Sequence, residues 1–390
     1  MESAKMQVGV IGAGTMGAGI ARVASSAGHQ VILFDKDSSM LSKAKQALDK
    51  SLSGMVDKNK LSSEAARGII QRISFAEKED DFKNCGLIIE AVIEDLSIKQ
   101  AVFGRLEQIV SQACLLASNT SSLSITSVAS ACKHPERFIG IHFFNPAHLM
   151  QLVEIIPGIA TASSTVNQAV ELIRSWEKQV VLVKDTPGFI VNRLARSFYG
   201  EAIRIYEEGL ADFATIDYIM KEKGGFRMGP FELMDFIGND VNYKVTHTVW
   251  EQFFYEPKYK PSLTQKRLVE SGRLGRKSGR GYYDYADEKA ISVPEVHSNL
   301  ADDIFNRIIS MLINDAVEAY YLKIASRDDI DLAMTKGVNY PKGLLKWADE
   351  MGCDTVLNHM ENLYAQYCED RYRPSVLLRL MAQNKTLFYQ

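Results

Sequence analysis

Apolar residues follow two regimes along this chain. Up to about residue 185 they gather in short runs between polar or glycine-rich turns; beyond it they recur at helical spacing. Met6 to Ile11 is an apolar run that predicts a buried strand. Gly19 to Ala27 has helical character, with Gly28 as its stop, and Val31 to Phe34 predicts a second strand. A Lys-rich helical stretch follows from Ser38 to Lys60. Further strands are expected within Ile69 to Phe75, Gly86 to Val92 and Leu115 to Ser118, then over 138–143, 151–156 and Gln179 to Val183. Leu96 to Gln112 and Ser124 to Cys132 read as the helices between them. This alternation predicts an α/β, doubly wound, mostly parallel sheet.

Pro187 and Gly188 interrupt the pattern, and strand signals nearly vanish after them. The remainder repeats itself at an offset of 114 residues. Asn192-Arg193, Tyr206, Asp217, Gly229, Asp235 and Gly238 return as Asn306-Arg307, Tyr320, Asp331, Gly343, Asp349 and Gly352. Two copies of one helical unit are therefore expected. The predicted domains are 1–185, 186–286 and 287–390.

The first strand runs into Gly12-Ala13-Gly14-Thr15-Met16-Gly17. A glycine turn between strand and helix, with an acid about twenty residues on, is a dinucleotide-binding pattern. Gly12 permits the tight turn, Gly14 lets a pyrophosphate approach the backbone, and Gly17 lets the helix pack on the strand. Asp35 would accept ribose hydroxyls and repel a 2′-phosphate, which favours NAD over NADP.

A second chemical signal lies between Ile141 and Glu154. His142 closes an apolar run, and Glu154 is a lone carboxylate inside the next one. Paired strands could bring them together. A carboxylate on one ring nitrogen sets the tautomer and leaves the other nitrogen to take a proton, which describes a general base and its orienting partner.

Composition narrows the classes. The net charge of −3 gives no reason to expect nucleic acid or an anionic membrane as a partner. No run is long and apolar enough to span a bilayer. The five cysteines are scattered without C-x-x-C spacing and the seven histidines form no ligand pattern, so no metal site is expected and the thiols read as those of a cytoplasmic protein.

Assembled in order, these motifs resemble the 3-hydroxyacyl-CoA dehydrogenase family. The likeness rests on the glycine turn, Glu90-Ala-Val-Ile-Glu94 with Lys99, Asn119-Thr-Ser-Ser-Leu123, His142-Phe-Phe-Asn-Pro146, Leu152-Val-Glu154, Asp185-Thr-Pro-Gly-Phe-Ile-Val-Asn-Arg193, Gly229-Pro-Phe-Glu-Leu233 and the Gly275 to Tyr283 segment. The resemblance implies an N-terminal Rossmann domain followed by two tandem all-α units like those of 6-phosphogluconate dehydrogenase. It implies reversible NAD-dependent oxidation of a (3S)-3-hydroxyacyl-CoA, with His142 as base and Glu154 behind it. Ser121 would hydrogen-bond the reacting oxygen, and Asn192 would help to hold that oxygen or the thioester region. Glu94, Lys99, Ser121, Asn145 and Lys277 match positions that contact NAD, and Ser51 and Lys58 match contacts to coenzyme A. A duplicated helical unit could replace the family's dimer contact in cis, so a monomer or a homodimer is expected. The competing readings are a dehydrogenase of a hydroxy acid without CoA, and a non-catalytic NAD-binding relative. The acyl chain that is preferred cannot be read from Met220, Met228, Phe231 and Met234, which are as well suited to plain core.

Overall fold

The computed structural model describes residues 5–286, 294 and 296–389. The chain divides into two compact units, Met1–Thr186 and Pro187–Gln390. The expected boundary at 286/287 runs into residues outside the described set.

The first unit is one sheet of eight strands in the order β3-β2-β1-β4-β5-β6-β7-β8. The strands are β1 (Gln7–Ile11), β2 (Gln30–Phe34), β3 (Ile73–Ala76), β4 (Leu87–Glu90), β5 (Leu115–Ser118), β6 (Phe138–Phe143), β7 (Leu152–Pro157) and β8 (Gln179–Leu182). The helices are α1 (Thr15–Ser26), α2 (Ser38–Asp57), α3 (Ser63–Gln71), α4 (Leu96–Ile109), α5 (Ile125–Ala129) and α6 (Ser163–Ser175). All pairs are parallel except β6 with β7. β4 and β5 are buried along their whole length, which suits their continuous apolar runs. Val8, Val10, Ile20, Leu33, Ile89, Ala117 and Ile141 belong to the main core.

The short strand expected within Ile69 to Phe75 is present as β3 from Ile73, and Ile69 and Ile70 before it close a helix, α3. Ser62 caps α3 by accepting from the Ala65 amide at 3.1 Å. Ala66 and Ile69 then pack with Leu52 in a small core of their own. Helix α6 was not anticipated; it buries Ala169, Leu172 and Ile173 on one face.

Chain order reverses direction between β1 and β4, and such a switch point places a crevice at the carboxyl ends of the strands. Register aligns those ends: Ile11 lies beside Glu90, Glu90 beside Ser118, and Ser118 beside Gly140. β6 is parallel to β5, so His142 sits just beyond this row, at the sheet edge that also carries the glycine turn.

The second unit is helical and repeats. Helices α7 (Val191–Glu207), α8 (Phe213–Glu222), α9 (Pro230–Ile237), α10 (Asn239–Gln252) and α11 (Leu263–Glu270) have counterparts in α12 (Ser298–Tyr321), α13 (Arg327–Gly337), α14 (Leu344–Met351), α15 (Cys353–Tyr367) and α16 (Val376–Asn384). Each copy also has a 3-10 turn before its last helix, Pro257–Tyr259 and Asp370–Tyr372. The repeated aspartates are helix caps. Asp217 accepts the Phe231 and Glu232 amides at 2.8 Å each, and Asp331 accepts those of Leu345 and Lys346 at 2.8 and 3.1 Å. Gly229 and Gly343 are required beside them, because a Cβ would come within 2.3 and 2.1 Å of the two aspartates. Met220, Phe231 and Met234 are fully buried core.

The copies pack against each other through crossed ion pairs. Arg307 of the second reaches Glu201 at 2.6 Å and Glu208 at 2.7 Å, while Arg193 of the first reaches Glu318 at 3.5 Å. Arg193 and Arg307 are equivalent positions, so the contact has the reciprocal form of a two-fold interface.

Candidate functional site

The glycine turn is built as the strand–helix geometry demands. Gly12 has φ of 95° and its amide bonds to Phe34 O at 2.8 Å, closing β1 against β2. A Cβ on Gly12 would stand 2.5 Å from Ala91 O, and one on Gly17 would stand 1.7 Å from Gly12 O. Gly14 differs: a Cβ there would meet nothing within 4 Å. Its glycine is therefore not explained by packing, and the open space suits close approach of a phosphate. Gly14 is also the N-cap of α1 and offers no side-chain cap to the first-turn amides, which leaves their partial charge to an anion. Asp35 follows β2 directly, accepting the Ala13 amide at 2.7 Å and the Asp37 amide at 3.0 Å. Each carboxylate oxygen keeps a further lone pair for a hydroxyl. Thr15 and Met16 form the first turn of α1. These residues fit a dinucleotide.

At the ends of β4 and β5 lies a buried charge cluster. Lys99, on α4, is 1% exposed; its Nζ reaches Glu90 at 2.6 Å and Glu94 at 3.2 Å. Glu90 also accepts from Ser118 at 2.6 Å and from the Val92 amide at 2.7 Å. Glu94 organises the Asn119–Ser122 turn: one of its oxygens accepts Thr120 Oγ1 at 2.6 Å, the Ser121 amide at 3.0 Å and Ser122 Oγ at 2.9 Å. Burial works against its charge, but Lys99 and the Thr120 and Ser122 hydroxyls outweigh that and hold its carboxyl below the ordinary range.

His142 and Glu154 are directly opposed across the antiparallel β6–β7 pair. His142 Nδ1 lies 2.6 Å from Glu154 Oε2, and the two residues are 5% and 0% exposed. Phe144 packs beside the imidazole, with ring centroids 4.5 Å apart. Asn119 ties this strand to the next loop by accepting the Phe143 amide at 2.8 Å. Asn145 follows in an exposed turn, joined to Pro146 by a cis peptide bond.

Comparison with known proteins agrees over almost the whole chain. The model of the 3-hydroxyacyl-CoA dehydrogenase NAD binding domain matches residues 7–186, and that of the C-terminal domain matches residues 188–285 and again 304–388. The chain belongs to the 3-hydroxyacyl-CoA dehydrogenase family. It is 37% identical to the 3-hydroxyadipyl-CoA dehydrogenase of Escherichia coli K12, over 96% of this chain and 97% of that one. It is 42% identical to the 3-hydroxybutyryl-CoA dehydrogenase of Bradyrhizobium diazoefficiens, over 73% of this chain and 97% of that one. Among solved structures, a 3-hydroxybutyryl-CoA dehydrogenase from Escherichia coli K12 superposes with a TM-score of 0.94 at 36% identity, covering 97% of this chain and 98% of that one. The chain is thus an NAD-dependent dehydrogenase of this family.

Other positions of the family pattern fall elsewhere. Ser51 lies on α2, and its Oγ accepts from Arg22 of α1 at 2.7 Å. Both line a cleft of about 430 Å³ that also includes Gly14, Thr15, Lys43 and His148. Lys58 is the exposed C-cap of α2 and is not among the residues lining that cleft. Arg22 was missed from sequence. It is 6% exposed, and burial pushes its guanidinium pKa below the ordinary value. The available signal was one cation inside an otherwise Ala, Ile and Val helix face. Glu90 stands out in the sequence only as part of a motif, and its spacing does not reveal that it anchors Lys99. Asp185 holds the start of α5 by accepting Ser124 Oγ and the Ile125 and Thr126 amides at 2.9, 3.0 and 2.8 Å.

Asn192 and Lys277 belong to the second unit. Asn192 is in the first turn of α7, where its carbonyl accepts Arg196 Nε at 2.8 Å. Lys277 pairs with Asp240 at 2.6 Å in the Gly275–Tyr283 segment. Among the described residues no helix is long and apolar enough to cross a membrane, and no three His, Cys, Asp or Glu are grouped to hold a metal ion.

Proposed function

We propose that this enzyme interconverts (3S)-3-hydroxyacyl-CoA and 3-ketoacyl-CoA, with His142 as general base and Glu154 as its positioning partner. The observation that carries the reading is the 2.6 Å contact between Nδ1 and the buried Glu154 carboxylate, at the sheet edge that also carries the glycine turn. Glu154 holds the Nδ1 proton, so the substrate hydroxyl loses its proton to Nε2 as the alcohol is oxidised. Bound NAD supplies the hydride acceptor. Glu154 then stabilises the imidazolium that forms. In the reverse direction the imidazolium returns its proton to the ketone oxygen.

Ser121 is assigned to the reacting oxygen and to the cofactor, on a turn whose backbone Glu94 fixes. Gly12, Ala13, Gly14, Thr15, Met16, Gly17 and Asp35 are assigned to the dinucleotide, together with Glu94, Lys99 and Asn145. Ser51 is assigned to coenzyme A, as is Lys58, whose exposed position at the end of α2 leaves its charge available to a phosphate. Asn192 and Lys277 are assigned by the family motif alone. The crossed arginine pairs of the tandem helical copies support a protein that needs no second chain for this contact.

The test is NADH oxidation by purified protein with acetoacetyl-CoA, with 3-ketoadipyl-CoA as a second substrate because relatives are named for both acyl types. Turnover of the thioesters is expected. Turnover of free acetoacetate alone would replace this reading with that of a free hydroxy-acid dehydrogenase.

A further inference from the structure

The internal symmetry of the helical unit exposes one place where the two copies are not equivalent. In the first copy, Lys258 is the middle residue of the 3-10 turn Pro257–Tyr259; in the second, Arg371 holds the same place in Asp370–Tyr372. Lys258 is neutralised from the other copy: its Nζ lies 3.1 Å from Asp315 and also contacts Glu318. The position equivalent to Glu318 in the first copy, 114 residues earlier, is Arg204. The second copy's turn therefore has no counterpart of the Glu318 carboxylate that Lys258 meets, and a cation holds that place.

The consequence is visible in the hydrogen bonds. The Arg371 side chain is 10% exposed, and its Nη2 contacts Glu369. Its Nε and Nη1 are buried with no hydrogen-bond partner among the described residues. Among the described residues Arg204 has one ion pair, with the far oxygen of Glu201 at 3.8 Å, and Glu201 is already held by Arg307 and by Tyr372. Arg371 and Arg204 are both among the residues lining a cleft of about 340 Å³, together with Lys260 and the start of α11 at Ser262 and Leu263. The acid in its lining is Glu207, which accepts from Ser262 Oγ at 2.7 Å. A buried guanidinium with unmet donors is costly unless an acceptor arrives.

We propose that this cleft binds a small oxyanion, the phosphate or carboxylate group of a soluble metabolite, held by Arg371 and Arg204. Arg371 and Arg204 bring two guanidinium charges to one cleft, and the guanidinium is a cation well suited to an oxyanion. Lys260 and the N-terminal turn of α11 add positive potential at the mouth. The bound anion supplies to the second copy's turn the charge that Glu318 supplies to the first copy's, and it bridges the copies.

The test is thermal unfolding of the full chain with saturating NADH, in chloride, phosphate and citrate at equal ionic strength. The native midpoint should rise with the logarithm of phosphate or citrate concentration beyond the chloride control. Arg371→Gln and Arg204→Glu should each shift that dependence to about tenfold higher anion concentration or more. R204E installs the acid found at the equivalent position, so without added anion it should unfold no earlier than the native protein. Lys260→Gln, at an exposed position, should weaken the rise by less. The stronger of the phosphate and citrate responses identifies the anion. No extra rise over chloride, or the same rise in the native protein, R371Q and K260Q, would overturn the proposal.

Discussion

At one edge of the sheet, two buried acids each sit under a group that carries a proton. Glu154 lies under His142 across an antiparallel strand pair, and Glu90 lies under Lys99 across a strand and a helix, each at 2.6 Å. The geometry is alike and the chemistry is not. Imidazole changes charge within the physiological range, so an acid behind it steers proton transfer. Lys99 instead lies between two carboxylates and helps to hold the Glu94 turn in place. The pairing partner sets position in both; the proposed roles differ by the group that is positioned.

That contrast can be broken by substitution. His142→Gln should lower kcat by about 10²–10⁴-fold while NADH affinity and thermal stability stay near native. Lys99→Met should do the opposite. It strands Glu90 in the core and should cost about 3–5 kcal/mol of stability, read by chemical denaturation, with weakened NADH binding. If K99M instead lost only turnover, Lys99 would belong with the reacting groups. Asp185→Ala removes the acceptor of the Ile125 and Thr126 amides at the start of α5, whose cap Ser124 stays, and should cost about 1 kcal/mol. A rate loss there at full stability would extend the catalytic network to that loop.

What the sequence reveals follows from how local each contact is. The glycine turn and Asp35 are legible because the pattern is contiguous. His142 and Glu154 are legible because they sit on successive apolar runs that pair as neighbours, twelve positions apart. Arg22, Glu90 and Asp185 were not read as site residues. Arg22 needs α2 to fold over α1, and Asp185 reaches residues about sixty positions back. α3 is not legible in the sequence because its isoleucines, Ile69 and Ile70, run almost directly into the apolar residues of β3. The helical duplication shows in the alignment of the chain with itself. The unequal charges of its two clefts emerge only when the copies are set face to face.

A double-mutant cycle between residues 142 and 154 tests the central claim most directly. Glu154→Gln alone should reduce kcat by about 10²-fold or more, because the amide no longer holds the same imidazole tautomer. The same substitution in the H142Q background should cost nothing further, since Glu154 acts only through His142. An equal loss in both backgrounds would show that Glu154 acts independently of the imidazole and would contradict the account.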